Sequence, residues 1–116
     1  MIGTGGFIKN IHPETVFEMA KQVEYLPGQI VSKTLAQNDA VSLTVFAFDK
    51  GEEISSHESA GDALITVLDG TGEITIDGQK YTVKANESIL MPARKPHAVF
   101  AVESFKMFLT VVFPHN

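Results

Sequence analysis

The chain has 116 residues, of which 44% are hydrophobic and 20% charged, and its net charge is −5. This length is typical of one domain with a single apolar core, and the composition is that of an ordinary globular protein. The chain has no cysteine, which excludes disulfides, thiolate metal sites and a cysteine nucleophile and leaves only nitrogen and oxygen ligands for a metal. The negative charge opposes nucleic acid as a partner, because phosphates are neutralised by lysines and arginines.

The beginning of the chain predicts a protein of the cytoplasm. Residues 1–7 are rich in glycine and lack the basic start and the apolar run of a signal peptide. The longest apolar stretches, residues 63–68 and 107–113, are far shorter than the roughly 20 residues of a membrane-spanning helix. We therefore expect no membrane partner.

One short amphipathic helix is predicted near residues 13–24. Pro13 and Glu14 suit the first turn of a helix, and the apolar residues that follow recur with helical spacing. Pro27 and Gly28 end this segment. We accordingly divide the chain into an N-terminal segment, residues 1–29, and a barrel domain, residues 30–116.

From residue 30 onward the pattern is one of short strands and turns. The intervals between turns are too short for crossover helices, so the strands are expected to be antiparallel and to form a sandwich or barrel. The clearest hairpin is predicted at Asp77-Gly78, because a two-residue turn favours residues that tolerate positive φ. The predicted strands are residues 41–48, 63–68, 73–76, 81–83, 88–91, 98–102 and 107–113.

Two of these strands, residues 41–48 and 107–113, are apolar on both faces. One face of a sandwich sheet usually meets water, so the outer face of these strands needs a cover, either the N-terminal helix or a second copy of the chain. We expect a homodimer, because a soluble monomer rarely exposes so large an apolar patch.

The segment from residue 51 to residue 70 contains Gly51, His57 and Gly70 at a characteristic spacing. This spacing resembles the first motif of the cupin superfamily, which is a glycine, five residues, His-x-His, three or four residues, a glutamate, six residues and a glycine. Ser59 stands at the second histidine position and Ala63 at the glutamate position. Two of the three metal ligands of this motif are therefore replaced.

A second segment carries Pro92 and His97 five residues apart. It resembles the second cupin motif, which is a glycine, five residues, Pro-x-Gly, two residues, a histidine, three residues and an asparagine. Asn86, Arg94 and Ala101 replace the two glycines and the asparagine. The two motifs and the short linker between them are similar to those of small single-domain cupins of the conserved-barrel (cupin 2) type, here with a degenerate metal motif.

The resemblance implies an all-β fold, an antiparallel double-stranded β-helix or jelly-roll barrel with one short N-terminal helix. It also implies that His57 and His97 project into the barrel. Because side chains of a strand alternate, Ser59 is expected to face inward with His57 and Glu58 to face outward. Asp62 could reach inward only if the turn beside it were reshaped.

The first functional hypothesis is a small-molecule-binding barrel. In this hypothesis the histidines are pocket residues hydrogen-bonded to each other, to Ser59 or to water, and the ligand itself is unknown. The replacement of two metal ligands, at Ser59 and Ala63, favours this hypothesis. The predicted ligand pocket consists of His57, Ser59, Met91, His97 and Met107.

The second hypothesis is a metal-dependent dioxygenase or isomerase. His57 and His97 would hold a divalent zinc, nickel, iron or manganese ion, and they would hold it weakly, because a catalytic site normally has at least three protein ligands. A third hypothesis is a structural dimer module with a barrel filled by side chains. No cofactor is certain from the sequence, which also leaves open whether the protein is an enzyme.

Overall fold

The computed structural model describes residues 6–115, and within them the chain forms nine strands in two antiparallel sheets. One sheet has five strands in the order β1-β2-β9-β4-β7, and the other has four in the order β3-β8-β5-β6. This confirms the predicted all-β jelly-roll barrel. The strands are β1 (Ile30–Gln37), β2 (Val41–Phe48), β3 (Glu53–His57), β4 (Asp62–Asp69), β5 (Thr71–Ile76), β6 (Gln79–Lys84), β7 (Ser88–Met91), β8 (His97–Ala101) and β9 (Phe105–Val112).

The predicted Asp77-Gly78 hairpin joins β5 to β6. Both turn residues have positive φ, 49° and 83°, and Ile76 pairs with Gln79 across the turn. All seven predicted strands are present, with bounds that differ by at most two residues. β1 and β3 were not individually predicted. In β1 a bulge interrupts the alternation, and β3 carries only one apolar residue, Ile54.

The N-terminal helix is shorter than predicted. It is a 3₁₀ helix of four residues, Met19–Gln22, and residues 13–18 are not helical. Glu14 has a φ of 59°, which is incompatible with a right-handed helix, and Val16 is fully exposed rather than packed. In the described part of the chain, no helix has the length and apolar character needed to cross a membrane.

The segment around this helix covers part of the outer face of the five-stranded sheet. Val23 is buried there with Val45 and Ala47 of β2. The Tyr25 hydroxyl donates a hydrogen bond to the Asp69 carboxylate, and burial together with this carboxylate raises the pKa of Tyr25. Lys106 Nζ lies 4.9 Å from the centre of the Tyr25 ring. The segment is thus fixed by apolar packing and by polar contacts at its edge.

Part of the remaining outer face is apolar and exposed. Leu64 of β4 and Leu90 of β7 are direct partners across the strand pair, and 42% and 54% of their surfaces are exposed. Val112 of β9 is exposed as well. The N-terminal segment therefore covers the face only in part, and the homodimer stays a prediction.

One end of the barrel interior is filled with side chains. The rings of Phe48 and Phe105 stack with centroids 4.8 Å apart, and Ile74 is fully buried with them. Gly72 makes room for this stack, because a Cβ atom there would come within 2.7 Å of the Phe105 ring. Open space inside the barrel lies toward the opposite end, where β3 ends and β8 begins.

Gly70, the closing glycine of the first motif, is expected to resist substitution more strongly than Gly78. Both have positive φ, but a Cβ atom on Gly70 would lie 2.1 Å from the Ser104 carbonyl oxygen, whereas Gly78 has open space. Gly78→Ala should cost about 1–2 kcal/mol for its backbone conformation alone, and Gly70→Ala about 1–3 kcal/mol more. Urea unfolding of the two variants measures this difference, and equal losses would contradict the close approach.

Candidate functional site

A cavity of about 290 Å³ lies between the two sheets. Its volume is at the lower end of the range for small-molecule pockets, about 300–1,000 Å³. The barrel interior is therefore not filled with side chains throughout, whereas the third hypothesis expects a filled interior. The apolar lining residues are Phe46, Ile54, Ala63, Ile65, Met91, Val99, Met107, Leu109 and Val111, and the polar ones are His57, Glu58, Ser59 and His97.

A β-bulge in β3 directs His57 into this cavity. His57, the last residue of β3, pairs with His97, the first residue of β8, and the register of the two strands shifts between Ile54 and His57. Ile54 and His57 both line the cavity, although residues three apart in a regular strand face opposite sides. Bulges re-aim side chains in this way.

The residues after His57 do not follow strand alternation. β3 ends at His57, and both Glu58 and Ser59 border the cavity. Glu58 is exposed, and that its side chain faces outward stays a prediction. Ser59 is held in place by its backbone, since its carbonyl oxygen accepts a hydrogen bond from the Arg94 amide at 2.8 Å. Its hydroxyl accepts a hydrogen bond from the Gly61 amide at 3.2 Å.

The two imidazoles meet through their Nε2 atoms, which are 3.1 Å apart. His57 Nδ1 lies 2.9 Å from the Ser55 carbonyl oxygen, and His97 Nδ1 lies 3.1 Å from that of Lys95. A carbonyl oxygen only accepts hydrogen bonds, so an Nδ1 atom that bonds to it carries the hydrogen. The two Nε2 atoms bond to each other only when one of them carries a hydrogen as well. The three contacts therefore need one hydrogen more than two neutral rings supply.

The environments of the two rings differ. His97 is only 4% exposed, whereas His57 keeps contact with solvent at the mouth of the cavity. Burial lowers the pKa of His97; the hydrogen bond to the Lys95 carbonyl opposes this effect, and the charge of a protonated His57 adds to it. The buried position of His97 therefore favours the neutral form of this ring.

All five residues of the predicted pocket, His57, Ser59, Met91, His97 and Met107, line this cavity. That they bind a ligand stays a prediction. Sequence reasoning missed Phe46 and Leu109, which alternation could have found, because they lie on the same faces of their strands as Phe48 and Met107. It had no means of finding Ile54, since β3 was not recognised.

In the part of the chain that the structure describes, no third metal ligand is brought together with the histidines. Asp62 is directed away from the cavity, and its Oδ1 accepts a hydrogen bond from the Ala93 amide at 2.8 Å. Among residues 6–115, no cluster of three or more histidine, aspartate or glutamate side chains is arranged to hold a metal ion. Ala63, at the glutamate position of the first motif, is 2% exposed and lines the cavity.

Comparison with known proteins agrees with the resemblance. The model of the cupin domain matches residues 44–113, which is more than half of the chain. The chain belongs to the cupin family. This cupin is similar to a conserved protein of unknown function from Streptococcus pyogenes, with 43% identity, coverage of 97% of this chain and 99% of the other, and a TM-score of 0.95.

Two further relatives bear on this cupin. A cupin superfamily protein from Desulfitobacterium hafniense is 34% identical, with coverage of 92% and 98% and a TM-score of 0.88. A 5-nitrosalicylic acid 1,2-dioxygenase from Bradyrhizobium is 38% identical over 48 residues, which are 41% of this cupin and 23% of the dioxygenase. The cupin thus spans less than a quarter of the length of the curated relative that it matches.

The buried His97 should make this cupin less stable in mild acid. The unfolded chain protonates this histidine near its ordinary pKa of 6.5, whereas the pKa in the folded state is lower. The stability that this residue contributes is therefore complete above about pH 6.5 and declines as the pH falls below that value. Urea unfolding from pH 8 to pH 5 should show a shallower decline in His97→Gln than in the wild type. His12→Gln, at an exposed histidine, should leave the decline unchanged.

Proposed function

We propose that this cupin binds a small, largely apolar molecule in the barrel cavity, where His57 and His97 orient its polar group. The observation that carries this proposal is the composition of the cavity wall. Nine apolar side chains surround about 290 Å³, and a few polar groups converge at one place. This combination is characteristic of small-molecule pockets.

The cavity is bounded by firmly held elements. The Arg94 amide donates to the Ser59 carbonyl and the Ala93 amide donates to Asp62, so that the loop after β7 is bonded to the loop before β4. These contacts join the segments of the two motifs beside the histidines. A site ordered before binding loses little conformational entropy when a ligand arrives.

The volume limits the ligand to roughly the size of one substituted ring. An apolar cavity of about 150 Å³ is known to hold benzene, so 290 Å³ accommodates a ring with one or two substituents. Phe46 of the cavity wall packs beside Phe48, with ring centroids 5.9 Å apart, and the stacked Phe48 and Phe105 rings fill the interior beyond it.

Toluene serves as a probe of the apolar part of the cavity. It should raise the melting temperature of the wild type by a few degrees, because a molecule that binds only the folded state stabilises it. Ala63→Leu should abolish this rise, since position 63 is buried and lines the cavity.

Ala98→Leu is the matched control for this experiment. It makes the same chemical change on β8, between His97 and Val99, at a position that does not line the cavity. The rise caused by toluene should persist in this variant. A rise of equal size in all three proteins would show that toluene binds elsewhere, and no rise in any of them would contradict the proposed function.

A second candidate function, a metal-dependent dioxygenase, has one geometric observation in its favour. The two Nε2 atoms lie 3.1 Å apart, and both Nδ1 atoms are bonded to backbone carbonyls, as is usual for histidines that ligate metals. The curated relative with a dioxygenase name agrees with this candidate. A bound ion would supply Lewis-acid or redox chemistry, while the apolar walls exclude water from the space beside it.

The donor set fits an ion only weakly. His57 and His97 offer two nitrogens, the Ser59 hydroxyl is a poor ligand, and Ala63 offers none. Two protein ligands are fewer than the three or four of typical zinc sites. We therefore rank this candidate below small-molecule binding.

Restoring the two replaced ligands should create a tight metal site. Dialysis of the wild type against a chelator should leave its melting temperature unchanged, because the apolar core holds the barrel together. Ser59→His with Ala63→Glu should raise the affinity for nickel or zinc by about 10-fold or more, measured by isothermal titration. As a control, Ser59→His with Ala98→Glu places the carboxylate outside the cavity and should gain less. Tight metal binding by the wild type would reverse our ranking.

A further inference from the structure

We infer that the cavity selects its ligand by length and that Phe46 sets the limit. This inference rests on the proposed function and narrows it to molecules with a short apolar body, so that long alkyl and acyl chains are excluded. Three features of the described residues support it: the depth of the cavity along its strands, the position of Phe46 at its floor, and the aromatic packing behind that ring.

The depth of the cavity follows from β8. His97 and Val99, which are two residues apart, both line the cavity, whereas Ala101, the next residue on the same face, does not. Ala101 pairs with Gly72, and a Cβ atom on Gly72 would come within 2.7 Å of the Phe105 ring. The four residues from His97 to Ala101 span about 13 Å of strand. The open space between the histidines and the filled end is therefore shorter than this distance.

Phe46 and Met107 form the floor of the cavity. They are direct partners on β2 and β9, and both line the cavity. Phe48 and Phe105, each two residues away on the same strands, are also direct partners. These two rings are fully buried and do not line the cavity. The boundary between open and filled space therefore runs between the two pairs.

Of the two floor residues, Phe46 is the one accessible to an incoming molecule. Met107 is 1% exposed, whereas Phe46 is only partly buried. A methionine side chain also adapts easily to a neighbour, because it is unbranched and has three rotatable bonds. A phenyl ring lacks this adaptability. Phe46 is thus the harder obstacle at the floor.

The packing behind Phe46 restricts its movement. Its ring centroid lies 5.9 Å from that of Phe48, with the planes tilted by 44°, and Phe48 in turn stacks on Phe105. A close-packed interior has few voids into which a ring could move. An apolar chain that reaches Phe46 must therefore disturb this cluster or keep its remaining carbons outside the cavity.

A series of 1-alcohols, from butanol to decanol, measures the limit on the full chain. Each methylene that enters the cavity should raise the affinity about fourfold. In the wild type this rise should end within the series, at the alcohol whose chain reaches Phe46. Labelled methionine methyl groups give NMR signals inside the cavity, from Met91 and Met107, and outside it, from Met19. The shifts of the two cavity signals yield the affinities.

Shortening the side chain at the floor should move the limit to a longer alcohol. In Phe46→Ala the first alcohol beyond the wild-type limit should bind about fourfold more tightly or better, because its last methylene is buried in the added space. Phe46→Leu removes less packing and should change the limit in the same direction, even if Phe46→Ala fails to fold. Phe108→Ala, the same change on the outer face of β9 and outside the cavity lining, should leave the limit unchanged.

Leu109→Ala tests whether length or total volume decides. Leu109 lines the cavity and lies two residues from Met107, on the side away from Phe105. Its truncation widens the cavity above the floor and leaves Phe46 in place. The limit should therefore fall at the same alcohol as in the wild type.

The outcomes separate this inference from the proposed function. An affinity that rises through decanol in the wild type, a limit unchanged in both Phe46 variants, or an equal displacement of the limit in Leu109→Ala would overturn the role of Phe46, while binding of the shorter alcohols still supported the cavity. If neither toluene nor any alcohol shifted the signals of Met91 and Met107, the proposed function itself would be wrong. The series on the wild type needs no variant and is valid even if both Phe46 variants fail to fold.

Discussion

The bulge in β3 is the constraint on which the site depends. Without the shift between Ile54 and His57, regular alternation would place these two residues on opposite faces, and one of them would leave the cavity. The bulge brings an apolar wall residue and a polar recognition residue to the same side of one short strand. The partner strand β8 needs no such irregularity, because His97 and Val99 are two residues apart and share a face.

The backbone carbonyls beside the histidines complete this arrangement. Each ring is bonded through Nδ1 to the carbonyl two residues before it, that of Ser55 or Lys95. The orientation of the rings is therefore set by local chain geometry and not by the identity of a ligand. Recognition at the Nε2 atoms is thus fixed before any molecule binds, which agrees with a pocket whose other walls belong to paired strands.

Local chemistry explains how much of this structure the sequence predicts. The hairpin at Asp77-Gly78 and the strands β2 and β7 follow from turn residues and alternation that act over a few neighbouring positions. The spacing of the two motifs predicted that both histidines lie in the barrel. This spacing already includes the extra residue of the bulge, so the bulge itself did not have to be recognised. Alternation cannot place Glu58 and Ser59 relative to the cavity, because β3 ends at His57. The helix was predicted too long, because apolar periodicity does not reveal the backbone conformation of Glu14.

The filled end of the barrel makes the pocket directional. A molecule whose polar group lies at His57 and His97 has its apolar part directed toward the filled end, where Phe46 of the cavity wall lies beside the stacked rings of Phe48 and Phe105. Substituents near its polar group remain beside solvent, whereas growth at the opposite end meets a closed wall. The molecules that fit should consequently differ from one another mainly near the polar group, which lies beside solvent, and little at the apolar end.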